Sequence, residues 1–185
     1  MQCRILHYKT LTSTNDKARE FAKLGAREGI VILADYQTKG RGRFQRRWQS
    51  PRGRNLLFSV ILRPVGSHVN KIPIITHILA MAVRNVLQKI CHLDAQVKKP
   101  NDVLIHNKKI SGILVQGSVY LMRVEYLIAG IGLNVNAGKH ELIRGATSVK
   151  EETGKIQDLE SLLEEILNEV GKSVEKQFSA NGKLK

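Results

Sequence analysis

The feature that most restricts the fold is the order of the hydrophobic periodicities. Between one long helical pattern and an amphipathic helix near the C-terminus lie four strand-like runs with no helical spacing among them. The long pattern, Ile72, Ile75, Ile78, Leu79, Ala82, Val83, Val86, Leu87 and Ile90, starts near Pro73 and keeps one apolar face over about five turns. The later one uses Leu159, Leu162, Leu163, Ile166, Leu167, Val170 and Val174. Between them, Asp94–Lys98, Val103–His106, Ile110–Gln116 and Val124–Val135 read as strands, with Asn107-Lys108 as a tight hairpin turn. Before the long helix come a strand at Arg4–Tyr8, a helix opening at Thr12–Asn15 and closing at Gly25 and Gly29, and strands at Ile30–Ala34 and Leu56–Leu62. Helices and strands do not alternate regularly, so the order predicts an α+β fold: a mixed or antiparallel sheet with packed helices, not a doubly wound one. The 185 residues suit one domain.

Charge narrows the class of partner. The chain has 30 Lys and Arg against 16 Asp and Glu; residues 1–150 carry +17 of the balance and residues 151–185 carry −3. No acidic residue lies between Asp35 and Asp94, and Lys39, Arg41, Arg43, Arg46, Arg47, Arg52 and Arg54 crowd into sixteen positions. Like charges at that density need solvation or an anion. Arginine forks favour phosphate or carboxylate, with phosphate the first expectation. No apolar run approaches the ~18 residues of a membrane span, and Met1–Lys9 lacks the apolar block of a secretory signal. Cys3 and Cys91 form no C-x-x-C pair. A cytoplasmic setting with no membrane partner is expected.

Several motifs invite chemistry, each with a plainer reading. Gly40-Arg41-Gly42-Arg43-Phe44-Gln45 begins like a dinucleotide fingerprint, but its sixth position is Gln and a strand follows it. No P-loop occurs. By itself the loop is equally a solvated basic stretch or a nucleic-acid contact. Ser13-Thr14-Asn15-Asp16 fits a helix cap. Lys98-Lys99-Pro100-Asn101-Asp102 reads as a Pro turn with a local ion pair, and Lys109 as a solvated hairpin lysine. Gly130 and Gly132, inside a strand, mark a place where a ligand or another backbone comes close. The six histidines show no zinc spacing, so no metal ligand is assigned.

In their order along the chain, these segments resemble the catalytic domain of biotin protein ligases. The agreement runs through Ser13-Thr14-Asn15, Asp35-Tyr36-Gln37-Thr38-Lys39-Gly40-Arg41-Gly42-Arg43, Arg46, Trp48-Gln49-Ser50-Pro51, Lys98, Pro100-Asn101-Asp102, Lys109-Ile110-Ser111-Gly112-Ile113-Leu114 and Gly130-Ile131-Gly132-Leu133-Asn134-Val135-Asn136. Each segment alone is weak; their shared order is specific. The resemblance implies a fold related to class II aminoacyl-tRNA synthetases. It implies activation of biotin by ATP to biotinyl-5′-adenylate and transfer to a lysine of a biotin carboxyl carrier protein. Magnesium is implied by ATP, with its ligands unassigned.

By the same resemblance, Ser13, Thr14, Asn15 and Gln37 surround the polar ring of biotin, Gly40 and Arg41 lie along it, and Gly112, Gly130 and Gly132 let the sheet approach it. Arg43, Arg46, Trp48, Asn101 and Asn134 serve ATP. Lys109 contacts both the biotin carboxyl and the α-phosphate. Arg43, Lys109 and Asp102 form the catalytic set, Asp102 orienting the incoming amine or the lysine network. Two positions depart from the family pattern: Gln45 where Gly is usual, and Lys99 where Trp is usual. Nothing precedes the first strand, so the helix-turn-helix of repressor-type members is expected to be absent, as is the small C-terminal barrel of many members. The sequence does not fix the oligomeric state; the resemblance allows a homodimer through the sheet, for which an expected exposed edge such as Leu56–Leu62 could serve. The competing readings are a lipoate ligase or acyltransferase of the same superfamily, a non-catalytic biotin sensor, and a basic nucleic-acid-binding domain.

Overall fold

The computed structural model describes residues 1–64 and 69–179. Seven strands form one sheet in the order β1-β2-β3-β7-β6-β5-β4: β1 (Arg4–Tyr8), β2 (Ile30–Ala34), β3 (Leu56–Leu62), β4 (Gln96–Lys98), β5 (Asp102–Ile105), β6 (Lys108–Tyr120) and β7 (Arg123–Leu133). Only β1 and β2 pair in parallel, joined through helix α1 (Thr14–Lys23); every other pairing is antiparallel. The fold is α+β with a mixed sheet, as the order of periodicities requires.

All seven residues of β3 are buried because both faces of the sheet are covered there. Leu56, Phe58, Val60 and Leu62 point into the main core, beneath α2 (Ile72–Cys91) and α4 (Leu159–Ser179). Ile61 faces the other way, joining Ala18 and Ala22 of α1 with Ile32 and Ile128. β3 lies between β2 and β7, so the expected dimer edge at Leu56–Leu62 is not an edge. A run of seven consecutive apolar and small residues is the pattern of a strand buried on both sides. The free edges are β1 and β4.

By length and composition α2 would pass for a membrane-crossing helix, against the expectation that no run comes near one. Its apolar residues Ile75, Leu79, Val83, Val86 and Leu87 are core, which accounts for its hydropathy. The hairpin turn between β5 and β6 lies one residue earlier than expected. His106 and Asn107 take φ of 47° and 60°, and Lys108 already pairs with Ile105. Two left-handed residues match the twist of a two-residue hairpin. β6 and β7 extend to a second such turn at Leu121 and Met122, whose apolar side chains carry no turn signal. Cys3 and Cys91 are free thiols whose pKa burial pushes up. α3 (Val149–Thr153) is a single short helix capped by Ser148 Oγ, which accepts from the Glu151 N–H at 3.1 Å.

Candidate active site

The sheet face that carries α1 holds the site where α1 stops covering it. Alternation puts Ser59 of β3, Gly130 and Gly132 of β7, and Gly112 of β6 on that face. Gly130 pairs with Ser59 and Leu114, and Gly132 with Leu57 and Gly112. Two pockets lie along this floor.

The inner pocket is built around the start of α1. Ser13 occupies the N-cap position but its side chain makes no capping bond, so the expected cap is geometric only. Thr14 donates its backbone N–H to Gln37 Oε1 at 2.7 Å, with Thr14 Oγ1 3.1 Å from the same oxygen. Ser59 Oγ lies 2.8 Å from Thr14 Oγ1 and 2.7 Å from Asn15 Oδ1. With one proton, it donates to the Asn15 carbonyl and accepts from Thr14. Asn15 Nδ2 donates to Gln116 Oε1 at 3.0 Å. A Cβ on Gly130 would collide with the Asn15 carboxamide, so glycine is what admits this side chain.

Ser59 and Gln116 were not singled out in the sequence. The legible signal for Ser59 is its place as the lone polar residue in Leu-Leu-Phe-Ser-Val-Ile-Leu. It is fully buried, and a buried hydroxyl needs partners.

The basic loop after β2 folds back on itself. Arg41 pairs with Arg47, Gly42 N–H donates to the Arg46 carbonyl at 2.7 Å, and Trp48 N–H to the Gly40 carbonyl at 3.0 Å. Phe44 and Gln45 form the tip at φ of 53° and 60°, a region that disfavours residues with a Cβ. The glycine usual at the position of Gln45 has a backbone reason here. The loop returns Trp48 onto the glycine floor: a Cβ on Gly132 would lie 2.5 Å from Trp48 Cε2, and one on Gly112 3.1 Å from Cζ3. The indole N–H is buried without an acceptor. With the ring seated there the inner pocket is about 30 Å³.

The outer pocket, about 470 Å³, runs from the same indole past Asn101, Asp102 and Lys109 to the segment Glu141–Ala146. Lys109 Nζ stands 2.7 Å from Asp102 Oδ1, in ion-pair contact without hydrogen-bond alignment, and 5.5 Å from the Trp48 ring centroid. Asp102 therefore pairs across the hairpin with Lys109 and not with Lys98 or Lys99. Arg43 Nη1 donates to Asn101 Oδ1 at 3.0 Å, while Asn101 is bonded to both the N–H and the carbonyl of Ile113. Lys109 is held through its backbone: its N–H donates to Gly145 and its carbonyl accepts from Thr147.

Three expected site residues are engaged in scaffolding. Asn134 accepts from Asn55 Nδ2 at 3.3 Å and donates to the Thr147 carbonyl at 2.9 Å. It lines the outer pocket with an amide already partnered. Asn55, not foreseen, also accepts from the Val135 N–H at 2.8 Å and fixes the end of the loop. Arg41 Nε donates to Asp16 Oδ2 at 2.9 Å, tying the loop to α1. Asn101 anchors the turn against β6. Arg46 lines the outer pocket and Gly40 borders the loop hairpin.

Arg41, Trp48, Gly112 and Leu114 line both pockets, so the two form one continuous site. One end offers hydroxyls and amides, and the other Arg43, Arg46 and Lys109. That combination fits a ligand polar and neutral at one end and anionic at the other. Among the described residues, no cluster of three or more His, Cys, Asp or Glu is placed to hold a metal ion.

Comparison with known proteins shows which family carries this site. The model of the biotin/lipoate A/B protein ligase family matches residues 8–136. The bifunctional ligase/repressor BirA of Bacillus subtilis is 36% identical over 167 residues, covering 88% of this chain and 51% of the relative. The biotin–[acetyl-CoA-carboxylase] ligase of Paracoccus denitrificans is 35% identical over 161 residues, covering 82% of this chain and 65% of the relative. Biotin protein ligase from Aquifex aeolicus in complex with biotin and ATP superposes with a TM-score of 0.81 at 31% identity, covering 94% of this chain and 71% of that one. The Leishmania major enzyme in complex with biotinyl-5-AMP gives 0.77 at 28%, covering 94% and 75%. The chain spans about half the length of the BirA relative. The inner pocket and Lys109 fall wholly within the matched segment, and the chain belongs to the biotin/lipoate A/B protein ligase family.

Proposed function

We propose that the protein activates biotin with ATP to biotinyl-5′-adenylate and transfers the biotinyl group to a lysine of a biotin carboxyl carrier protein. The observation that carries this reading is the meeting of the polar inner pocket with the cationic outer one at Trp48 and Gly112, with Lys109 beside Gly112 on the outer side. The relatives named as biotin ligases, and the neighbour structures with biotin, ATP and biotinyl-5-AMP, support it.

In the first step a carboxylate oxygen of biotin bonds to the α-phosphorus of ATP while the bond to pyrophosphate breaks. Both reactants are anionic. Lys109 and Arg43 offset their repulsion and the charge building on the leaving group. Ser13, Thr14, Asn15 and Gln37 hold the ureido ring; Gly112, Gly130 and Gly132 form the floor; Gly40 and Arg41 close along it. Trp48, Arg46, Asn101 and Asn134 face the nucleotide. Because about 30 Å³ holds roughly one water, entry of a bicyclic ring requires the Trp48 indole to leave Gly132 and Gly112. The loop then covers a hydrolysable anhydride and excludes water.

In the second step the acceptor amine, which must lose a proton from a pKa of about 10.4, attacks the acyl carbon and AMP leaves. Asp102, beside Lys109, orients that amine. Magnesium enters with the triphosphate, as suits an ion that keeps waters and binds substrate phosphates. The two free thiols suit a reducing cytoplasm.

Incubation with ATP, magnesium and biotin is expected to yield biotinyl-adenylate and pyrophosphate, and lipoate is expected to compete poorly. Biotin binding without adenylate would make the protein a sensor. Preference for lipoate would make it an acyl ligase of the other branch.

A further inference from the structure

The cations at the mouth of the outer pocket outnumber what the activated ligand can neutralise. Arg46, Arg47, Lys98 and Lys99 are exposed and line the mouth, and none has a recorded acidic partner among the described residues. Of the two carboxylates lining the pocket, Asp102 is paired with Lys109 and Glu141 accepts from the Gly138 N–H. While ATP is present its phosphates answer Arg43, Arg46 and Lys109, which leaves Arg47, Lys98 and Lys99 over. Once pyrophosphate has left, the adenylate keeps a single anionic phosphate, so the state that meets the second substrate has a positive rim. Phe44 projects from the same loop 80% exposed, with the Arg43 guanidinium 4.8 Å from its ring centroid. The same loop also borders a third cavity of about 560 Å³, lined by Lys39 and Arg47 with β6 residues Leu114–Gln116.

We infer that Arg47 of the basic loop and Lys99 of the β4–β5 turn, with Phe44 as an apolar anchor, form the docking rim for an acidic protein surface that presents the acceptor lysine. The inference rests on the ligase reading above and assigns its second substrate a face and a charge. An acceptor lysine must enter through this mouth, so its flanking surface meets the rim at close range. Complementary charge there sets encounter rate and salt dependence, and an exposed aromatic is the side chain most suited to anchor the contact. Lys99, which stands where the family usually has Trp, fits this role as a rim cation.

The test separates the two half-reactions in the intact protein. Arg47→Glu/Lys99→Glu and, separately, Phe44→Ala are compared with the unsubstituted chain in three assays. These are biotin-dependent pyrophosphate exchange, transfer to hydroxylamine as an amine with no docking surface, and transfer to the biotin-accepting domain of a carboxylase carrier protein. Exchange and hydroxylamine transfer are expected to stay within about twofold. The charge reversal should lower kcat/KM for the carrier about tenfold or more through KM and flatten its salt dependence, and polyglutamate should inhibit only carrier transfer. Unchanged carrier kinetics in both variants, with the thermal midpoint retained, overturns the rim. So does inhibition of carrier transfer by duplex DNA that exceeds inhibition by polyglutamate, which assigns the charge to nucleic acid. Absence of pyrophosphate exchange in the unsubstituted protein overturns the ligase reading itself, a separate result.

Discussion

Lys109 owes its position to its backbone and its charge environment to Asp102. The first comes from pairing with Gly145 and Thr147, the second from a 2.7 Å contact. Both are surface-accessible in part, so removing the side chain should leave folding nearly intact. Lys109→Ala and Arg43→Ala are each expected to slow adenylate formation by about 10²–10³-fold with little change in thermal midpoint. Full activity in either variant would remove the assigned role. Ser59 behaves in the opposite sense. It is fully buried beneath Thr14 and Asn15, so Ser59→Ala leaves buried polar atoms short of a partner at a cost of about 1–3 kcal/mol. Denaturant unfolding measures that loss, and biotin affinity should fall with it, because the same hydroxyl orders the two pocket side chains.

At the scale of elements, the loop Lys39–Arg54 and the floor of β6 and β7 act as one unit through Trp48. This is the chain's single tryptophan, so its fluorescence reports the pocket directly. Biotin is expected to shift the emission as the indole leaves the floor. Gly132→Ala, whose Cβ would sit 2.5 Å from the ring, should show the altered emission before ligand is added. An identical spectrum with and without saturating biotin would exclude the movement.

The brace that holds Lys109 extends into α3. Thr147 Oγ1 donates to Glu152 Oε1 at 2.6 Å and His106 Nδ1 lies 3.0 Å from Glu152 Oε2. Burial pushes the Glu152 carboxyl up, but the hydrogen bonds with Thr147 and His106, together with the charge interactions with His106 and Lys108, outweigh it and leave the pKa lowered. A carboxyl whose folded pKa is depressed stabilises the fold above its ordinary range and loses that contribution as pH falls through the folded value. Glu152→Gln should therefore lower the thermal midpoint at about pH 7 and show a shallower decline between about pH 5 and pH 3. Parallel melting curves for the two proteins would assign the brace no electrostatic role.

For the whole molecule, the covered interior of the sheet dictates which surfaces remain for assembly. With β3 sealed between β2 and β7, a sheet-mediated homodimer has only β1 and β4 to use. β4 has three residues and ends in Lys98, both features that discourage edge pairing. β1 has five and exposes Ile5. Self-association through the sheet is expected to require β1 and to be lost in Ile5→Lys, read by sedimentation. A dimer that survives that change uses another surface.

The sequence by itself determined the class of fold, because periodicity reports which faces must leave water: α2, α4 and the strands Ile30–Ala34 and Leu56–Leu62 were all legible on that ground. It also supplied residue types that the fold gathers along the two pockets, since Thr14, Gln37, Arg43 and Lys109 lie in motifs whose order along the chain is specific. Partnership was decided only in three dimensions. The Ser59 hydroxyl meets α1 residues more than forty positions away, Asn134 is engaged by Asn55, and Asp102 chooses Lys109 over the nearer Lys98 and Lys99. The interior place of β3 was likewise a matter of strand order, which local pattern does not encode. Burial is a property of single residues and periodic runs, whereas hydrogen-bond and ion-pair partners depend on which distant segments the sheet brings into register.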